Sequence, residues 1–211
     1  MSAAVNARSV STFCVAPAAF AEQMRLLRSE GYRVLPLASV TEHLESRKPF
    51  PERSVAITFD DGFRNILTHA APLLAERQIP AAAFVISDFT LEGPGPVAPA
   101  VVKFFGPERR PAAMLSWADC RTLADAGWTI GSHGAAHRRL VAMTEDQVER
   151  ELATAKAAMA AAAGLPIPQE AALLQAPDTA KKVVAMGKKF QAEFSTRGAV
   201  VSAWHLLEFA D

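Results

Sequence analysis

Three stretches of this chain are apolar with little interruption: SVAITF (Ser54–Phe59), AAAFVIS (Ala81–Ser87) and WTIGS (Trp128–Ser132). A strand with one wet face alternates polar and apolar residues, so runs of this kind suit strands covered on both faces, as in parallel sheets. Helical patterns lie between them. FRNILTHAAPLLAERQ is amphipathic and ends at Ile79, ahead of Pro80. WADCRTLADA is opened by a capping box, Ser116 with Asp119, and closed by Gly127. Upstream, Pro17 precedes AAFAEQMRLLRSE, whose apolar residues Phe20, Met24 and Leu27 keep helical spacing up to Gly31, followed by a short strand YRVLPL and a brief helix around VTEHLES. Downstream, Thr144 with Gln147 forms a second capping box, opening DQVERELATAKAAMAAAA, with Gly164 and Pro166 beyond its end. Alternating strands and helices of this type predict an α/β fold. Residues 89–113, rich in proline and glycine, read as an excursion loop of the sort that borders a site.

The chain has 211 residues, 50% of them hydrophobic, enough to bury a core in one domain spanning 1–211. Twenty-two basic residues balance twenty-two acidic ones, which points away from nucleic acid or an anionic membrane as partner and toward a neutral or weakly charged substrate. Cys14 and Cys120 lie far apart without CxxC spacing, so they read as ordinary, partly buried thiols. MSAAVNARSVSTFC lacks the pattern of a secretory leader, and no run reaches the roughly 18 apolar residues of a membrane span, so the default compartment is the cytoplasm. No repeat is visible.

In α/β folds, reactive residues gather at the C-terminal ends of parallel strands. Asp60 and Asp61 stand where SVAITF ends, and SHGAAH (Ser132–His137) stands where WTIG ends, so the two polar clusters can meet on one rim. On a helical turn, the i, i+4 spacing of His133 and His137 would put both imidazoles on one face, able to grip one metal ion. An adjacent carboxylate would complete a facial triad with open positions. Neighbouring residues at a strand end point in different directions, so one aspartate can bind metal while the other works as a base. A divalent ion lowers the pKa of bound water to about 7 and polarises a carbonyl, which favours hydrolysis of an amide or ester. Each motif alone has a plainer reading: DDG as a turn that caps the next helix, HxxxH as two surface histidines. Their joint placement after two buried strands favours the functional one. His43 and His69 read as surface or core-edge histidines.

The motif TFDDG (Thr58–Gly62) after an apolar strand, then GSHGAAH (Gly131–His137) after the W-x₅-L-x₃-GW helix, resembles the polysaccharide deacetylase family, the NodB-homology carbohydrate esterases. VAPAAFAEQMRLLRSEGYRVLPL, IPAAAFVIS and LVAMTEDQVERELATAKAAM resemble the family's flanking segments, and the likeness covers roughly residues 10–165. It implies a distorted (β/α) barrel, incomplete here at both ends. It also implies a divalent metal, usually zinc and sometimes cobalt or nickel, and removal of acetyl groups from N-acetylated sugars of a glycan. Carried over by position, Asp60 matches the general base, and Asp61, His133 and His137 match the metal ligands.

Three departures stand out. Gly134 replaces the Ser or Thr that usually follows the first histidine, removing a hydroxyl that could orient the ligands. The N-terminus lacks the family's opening strand with its Tyr-His pair. Residues 165–211 diverge: Arg197, Trp204 and His205 do not reproduce the downstream motifs, although AVVSAWHLL is the nearest match to a strand followed by a catalytic histidine. His205 is therefore the candidate general acid, set against a plain histidine in a terminal strand or helix. KKVVAMGKKF could form a basic amphipathic helix, with a solvated face as the plainer reading. Beside the glycan deacetylase stand two alternatives: an amidase or imidase of the same fold acting on a non-sugar amide, and a divergent or truncated relative with little or no activity.

Overall fold

A computed structural model describes residues 15–93, 98–105 and 113–163, together with three strands, Lys182–Gly187, Phe190–Ser195 and Val201–Leu206. Helix α1 (Pro17–Ser29) starts on a proline, whose missing N–H has no helical partner to lose there. It stops because Gly31 takes φ +75°, letting Tyr32 N–H reach back to the Leu27 carbonyl at 2.8 Å. Strand β1 (Arg33–Val34) is short because Pro36 caps the next helix, α2 (Leu37–Glu45).

The stretch expected to be one strand, Ser54–Phe59, divides its pairing. Its first part, β2 (Ser54–Val55), lies parallel to β1, and its second, β3 (Thr58–Phe59), lies parallel to β4 (Ala82–Val85). Strand β5 (Thr129–Ser132) adds to the far side of β4, again parallel. A single extended segment thus passes from one neighbour to the next, and the parallel strands follow one another as the open arc of a partial barrel. Ala82, Ala83 and Val85 are fully buried, so β4 is covered on both faces, as its apolar run required.

The helix expected over Phe63–Gln78 is not regular. It opens with a π-helical turn, Ile66–Ala70, before α3 (Ala71–Glu76). Pro72 lacks the N–H that would bond the Thr68 carbonyl, and widening the preceding turn absorbs that loss. Helix α5 (Trp117–Asp125) has both halves of its capping box, and Gly127, at φ +88°, closes it. Helix α6 (Glu145–Ala163) carries the second box, with Thr144 N–H donating to Gln147 Oε1 and Gln147 N–H to Thr144 Oγ1. These helices pack on the strands through Ile66, Leu74, Leu123 and Met159, and Phe59 meets Phe20 and Trp128 edge-on or tilted.

The excursion after β4 holds a helix that the sequence did not announce, α4 (Pro99–Phe105), seated on a second small core of Ile86, Phe89, Ala98 and Val101. Within KKVVAMGKKF, where the sequence allowed a helix, Lys182–Gly187 is instead a strand, β6, consistent with its β-branched Val183 and Val184. It pairs antiparallel with β7 (Phe190–Ser195), which pairs antiparallel with β8 (Val201–Leu206).

Candidate metal centre

Strand β3 ends in a sharp reversal. Asp61 at φ +68° and Gly62 at φ +78° are two successive left-handed residues. Gly62 is needed twice over, because a Cβ there would also lie 3.0 Å from Val85 Cγ1. The reversal is clamped from outside: Leu115 N–H donates to the Gly62 carbonyl at 2.8 Å and Arg64 N–H to the Ala113 carbonyl at 2.7 Å. The left-handed turn thus begins at Asp61, one residue after Asp60.

The segment after β5 is held as firmly but is not helical, contrary to the expectation drawn from the i, i+4 spacing. Gly134 and His137 take φ +82° and +55°, values no helix allows. The chain instead lies along the end of β4. His133 N–H donates to the Val85 carbonyl (2.8 Å), Ser87 N–H to the Gly134 carbonyl (3.2 Å) and Asp88 N–H to the Ala135 carbonyl (3.0 Å). On its other side, Ala135 and Ala136 N–H donate to Glu151 Oε1 at 3.0 and 2.6 Å.

These two loops bring Asp61, His133 and His137 together across β4. Asp61 Oδ1 lies 3.3 Å from His133 Nε2 and 3.2 Å from His137 Nε2. One ligand atom from each of the three lies within 4.8 Å of the others. Metal–nitrogen and metal–oxygen bonds of about 2.0–2.1 Å in a tetrahedral shell put neighbouring ligand atoms about 3.3–3.4 Å apart. The Asp–His separations match that edge, and two imidazoles with one carboxylate are a donor set that suits a divalent ion of the zinc type. The side chains are 33%, 15% and 34% exposed, so the cluster faces outward and leaves room for substrate and water.

The charges agree with the geometry. Hydrogen bonds from His133 and His137 hold the Asp61 carboxyl far below the usual carboxylate range. The bond to Asp61 raises the His137 pKa against the opposing effect of burial. Asp60 behaves oppositely to Asp61. Loss of water around its carboxyl raises its pKa; His133 and His137 pull it down, and the neighbouring Asp61 charge pushes it up.

The family model described as Polysaccharide deacetylase matches residues 47–186, about two thirds of the chain. The chain belongs to the polysaccharide deacetylase family. Curated relatives include the poly-beta-1,6-N-acetyl-D-glucosamine N-deacetylase of Escherichia coli K12, 39% identical over 67 residues, which is 32% of this chain and 10% of that protein. The enzyme of the same name from Staphylococcus aureus MSSA476 is 32% identical over 82 residues, 39% of this chain and 28% of that one. The matched stretch thus spans a tenth to just over a quarter of these relatives. Among solved structures, IcaB from Ammonifex degensii superposes with a TM-score of 0.59 at 23% identity, covering 74% of this chain and 66% of that one. The Streptococcus pyogenes deacetylase PplD does so with a TM-score of 0.55 at 20% identity, covering 72% and 59%. These likenesses bear on the fold: an α/β deacetylase architecture with parallel strands.

His43 Nδ1–H donates to the Ser39 carbonyl and the ring stacks on Phe50, and His69 pairs with Thr68 Oγ1, both plain local contacts. Cys120 is fully rather than partly buried, and burial pushes its thiol up to about 12, which leaves it inert; Cys14 lies outside the described residues. His205 sits in β8 opposite Gln191, and its side chain is outside the described residues. Two neighbours of the cluster went unread in the sequence. Phe104 of α4 meets the His137 ring edge-on, with ring centres 5.0 Å apart. Glu151 is buried on α6; its signal was a charge placed on an otherwise apolar helical stripe. Among the described residues, no helix is long and apolar enough to cross a membrane.

Proposed function

We propose that this chain is a metal-dependent hydrolase that removes N-acetyl groups from N-acetylhexosamine units of a glycan. The observation that carries the proposal is the convergence of Asp61 Oδ1 with His133 Nε2 and His137 Nε2, at 3.3 and 3.2 Å, in a chain of the polysaccharide deacetylase family. Asp61, His133 and His137 would hold one divalent ion, most simply zinc, with cobalt or nickel as alternatives. Bound there, the ion supplies Lewis acidity, polarising the acetamide carbonyl and bringing the pKa of water to about 7.

The chain's own residues divide the remaining work. Asp61 is tied to two imidazoles and stays ionised, so it serves as a ligand and not as a proton carrier. Asp60, next to it, is not hydrogen-bonded to the imidazoles and takes the proton from the attacking water at a carboxylate oxygen. The amide C–N bond breaks, acetate leaves, and the sugar amine takes up a proton. His205 is the candidate donor on sequence grounds. Phe104, half-exposed against His137, offers an apolar wall beside the cluster that suits the C–H face of a sugar ring. The names of the E. coli and S. aureus relatives, both poly-beta-1,6-N-acetyl-D-glucosamine N-deacetylases, support this substrate class.

The test separates the two aspartates. Acetate release from N-acetylglucosamine oligomers should fall by a hundredfold or more in Asp60→Asn, about the scale of losing a general base, with metal retained. Asp61→Ala should lose the metal as well as the activity. Equal metal loss in both variants would contradict the roles assigned.

A further inference from the structure

The segment joining His133 to His137 carries both imidazoles of the centre, yet it has no helical bonds to keep its shape. One side is fixed by the end of β4 and the turn that follows it, through the three backbone bonds at Val85, Ser87 and Asp88. The other side rests on a single side chain from a distant part of the sequence, Glu151. Glu151 occupies the second turn of α6, four residues before Ala155 and eight before Met159, both buried, so its position belongs to the apolar stripe of the helix. It is nevertheless a carboxylate, 7% exposed. Burying a carboxylate costs several kcal/mol unless hydrogen bonds compensate, whereas leucine or alanine would fill this place at no such cost. The compensation is specific: Oε1 accepts both Ala135 N–H and Ala136 N–H, the two peptides lying between the ligands. Gly134 fits the same arrangement, since a Cβ there would come within 3.3 Å of that oxygen.

We propose that Glu151 is a positioning residue for the metal centre. By gripping the two peptides midway between His133 and His137, it sets how both imidazoles face Asp61. The role rests on the metal-site reading above. A ligand shell with bonds of about 2.0–2.1 Å tolerates displacements of only about 0.2 Å, so an unclamped loop would bind poorly even with every ligand present. It also accounts for the missing hydroxyl after His133: with the loop held from α6, the chain orients its ligands without one.

The experiment titrates cobalt(II) alone into metal-free protein, followed by visible absorption, for wild type, Glu151→Ala and Glu151→Gln, with amide exchange measured in the peptide containing Ala135 and Ala136. Glu151→Gln keeps an oxygen that can accept both N–H groups. The expected result is a cobalt affinity about 10–100-fold weaker in Glu151→Ala, the usual range for losing a ligand's support, with faster exchange at the two alanines. Glu151→Gln should lose less than about tenfold and keep the exchange slow. If Glu151→Ala does not fold, Glu151→Gln against wild type decides alone. Wild-type affinity and exchange in Glu151→Ala would overturn the proposal, as would a folded Glu151→Gln that fails as badly as Glu151→Ala. A wild type that takes up no cobalt would sink the metal-site reading and this role with it, whereas cobalt bound equally by all three proteins would sink this role alone.

Discussion

Five non-glycine residues in the described structure have positive φ: Arg47, Arg53, Gln78, Asp61 and His137. Arg47 and Gln78 end helices, where the left-handed turn lets the next residue bond back into the last turn, as Lys48 does to the His43 carbonyl and Ile79 to the Leu74 carbonyl. Asp61 and His137 close no helix. Their conformations cost of order 1–3 kcal/mol each, and residues so strained persist where surrounding structure imposes them, commonly at functional sites. Here the imposing structure is visible in the clamps around Gly62 and along residues 133–136. The charge state follows from the same contact. In metal-free protein, the lowered Asp61 pKa stabilises the fold fully above its ordinary value of 3.8 and progressively less as pH falls below it. The raised His137 pKa stabilises fully below its ordinary 6.5 and is lost as pH rises through the raised value. The chelated protein should therefore gain most from this pair between about pH 4 and 6.5, and Asp61→Asn should flatten that maximum in a series of thermal melts. A melting profile unchanged by Asp61→Asn would contradict the coupling. The residue types and spacing of this site were legible in the sequence because the ligand chemistry is written in them. The loop conformation was not, since HxxxH is compatible with a helix and only the contacts with β4 and Glu151 decide against one.

At the level of elements, local signals read well wherever the chain satisfies its own termini. Both capping boxes and the glycine stops at Gly31 and Gly127 are such cases, each complete within a few residues. What failed depended on partners far away in sequence. The Ser54–Phe59 run could not reveal that it pairs with β1 early and β4 late. Helix α4 was hidden among prolines and glycines because its stability comes from the small core beneath it, not from its own seven residues. Val101 is fully buried in that core. Removing its two methyl groups in Val101→Ala should cost about 2 kcal/mol, counting about 0.8 kcal/mol per group plus the cavity left behind. Hydrogen exchange should speed up across residues 98–105 while β4 stays protected. Loosening of β4 to the same degree would mean that α4 belongs to the main core after all. Because α4 also seats Phe104 against His137, the same variant should weaken the proposed glycan binding before it weakens the proposed metal binding.

Across the whole molecule, the parallel arc does one thing for the centre: it sets two loop ends on either side of β4, close enough for a carboxylate and two imidazoles to meet. Strands spaced about 4.8 Å apart put β3 and β5 roughly 10 Å from each other, a gap that side chains reaching inward from both can close. That much followed from apolar strands alternating with helices and from where the polar motifs stood on them. Strand β8 falls within AVVSAWHLL, which read as a strand candidate, but the antiparallel pairing of β6–β8 did not follow, because their pattern lies outside the repeating strand–helix unit. Whether the arc delivers a working ligand set is read most directly from the metal content of the purified chain by elemental mass spectrometry, with His133→Ala beside it. Close to one zinc, cobalt or nickel ion per wild-type chain and none in His133→Ala is the predicted result; a wild type that holds no metal after reconstitution, or a variant that holds as much, would contradict it.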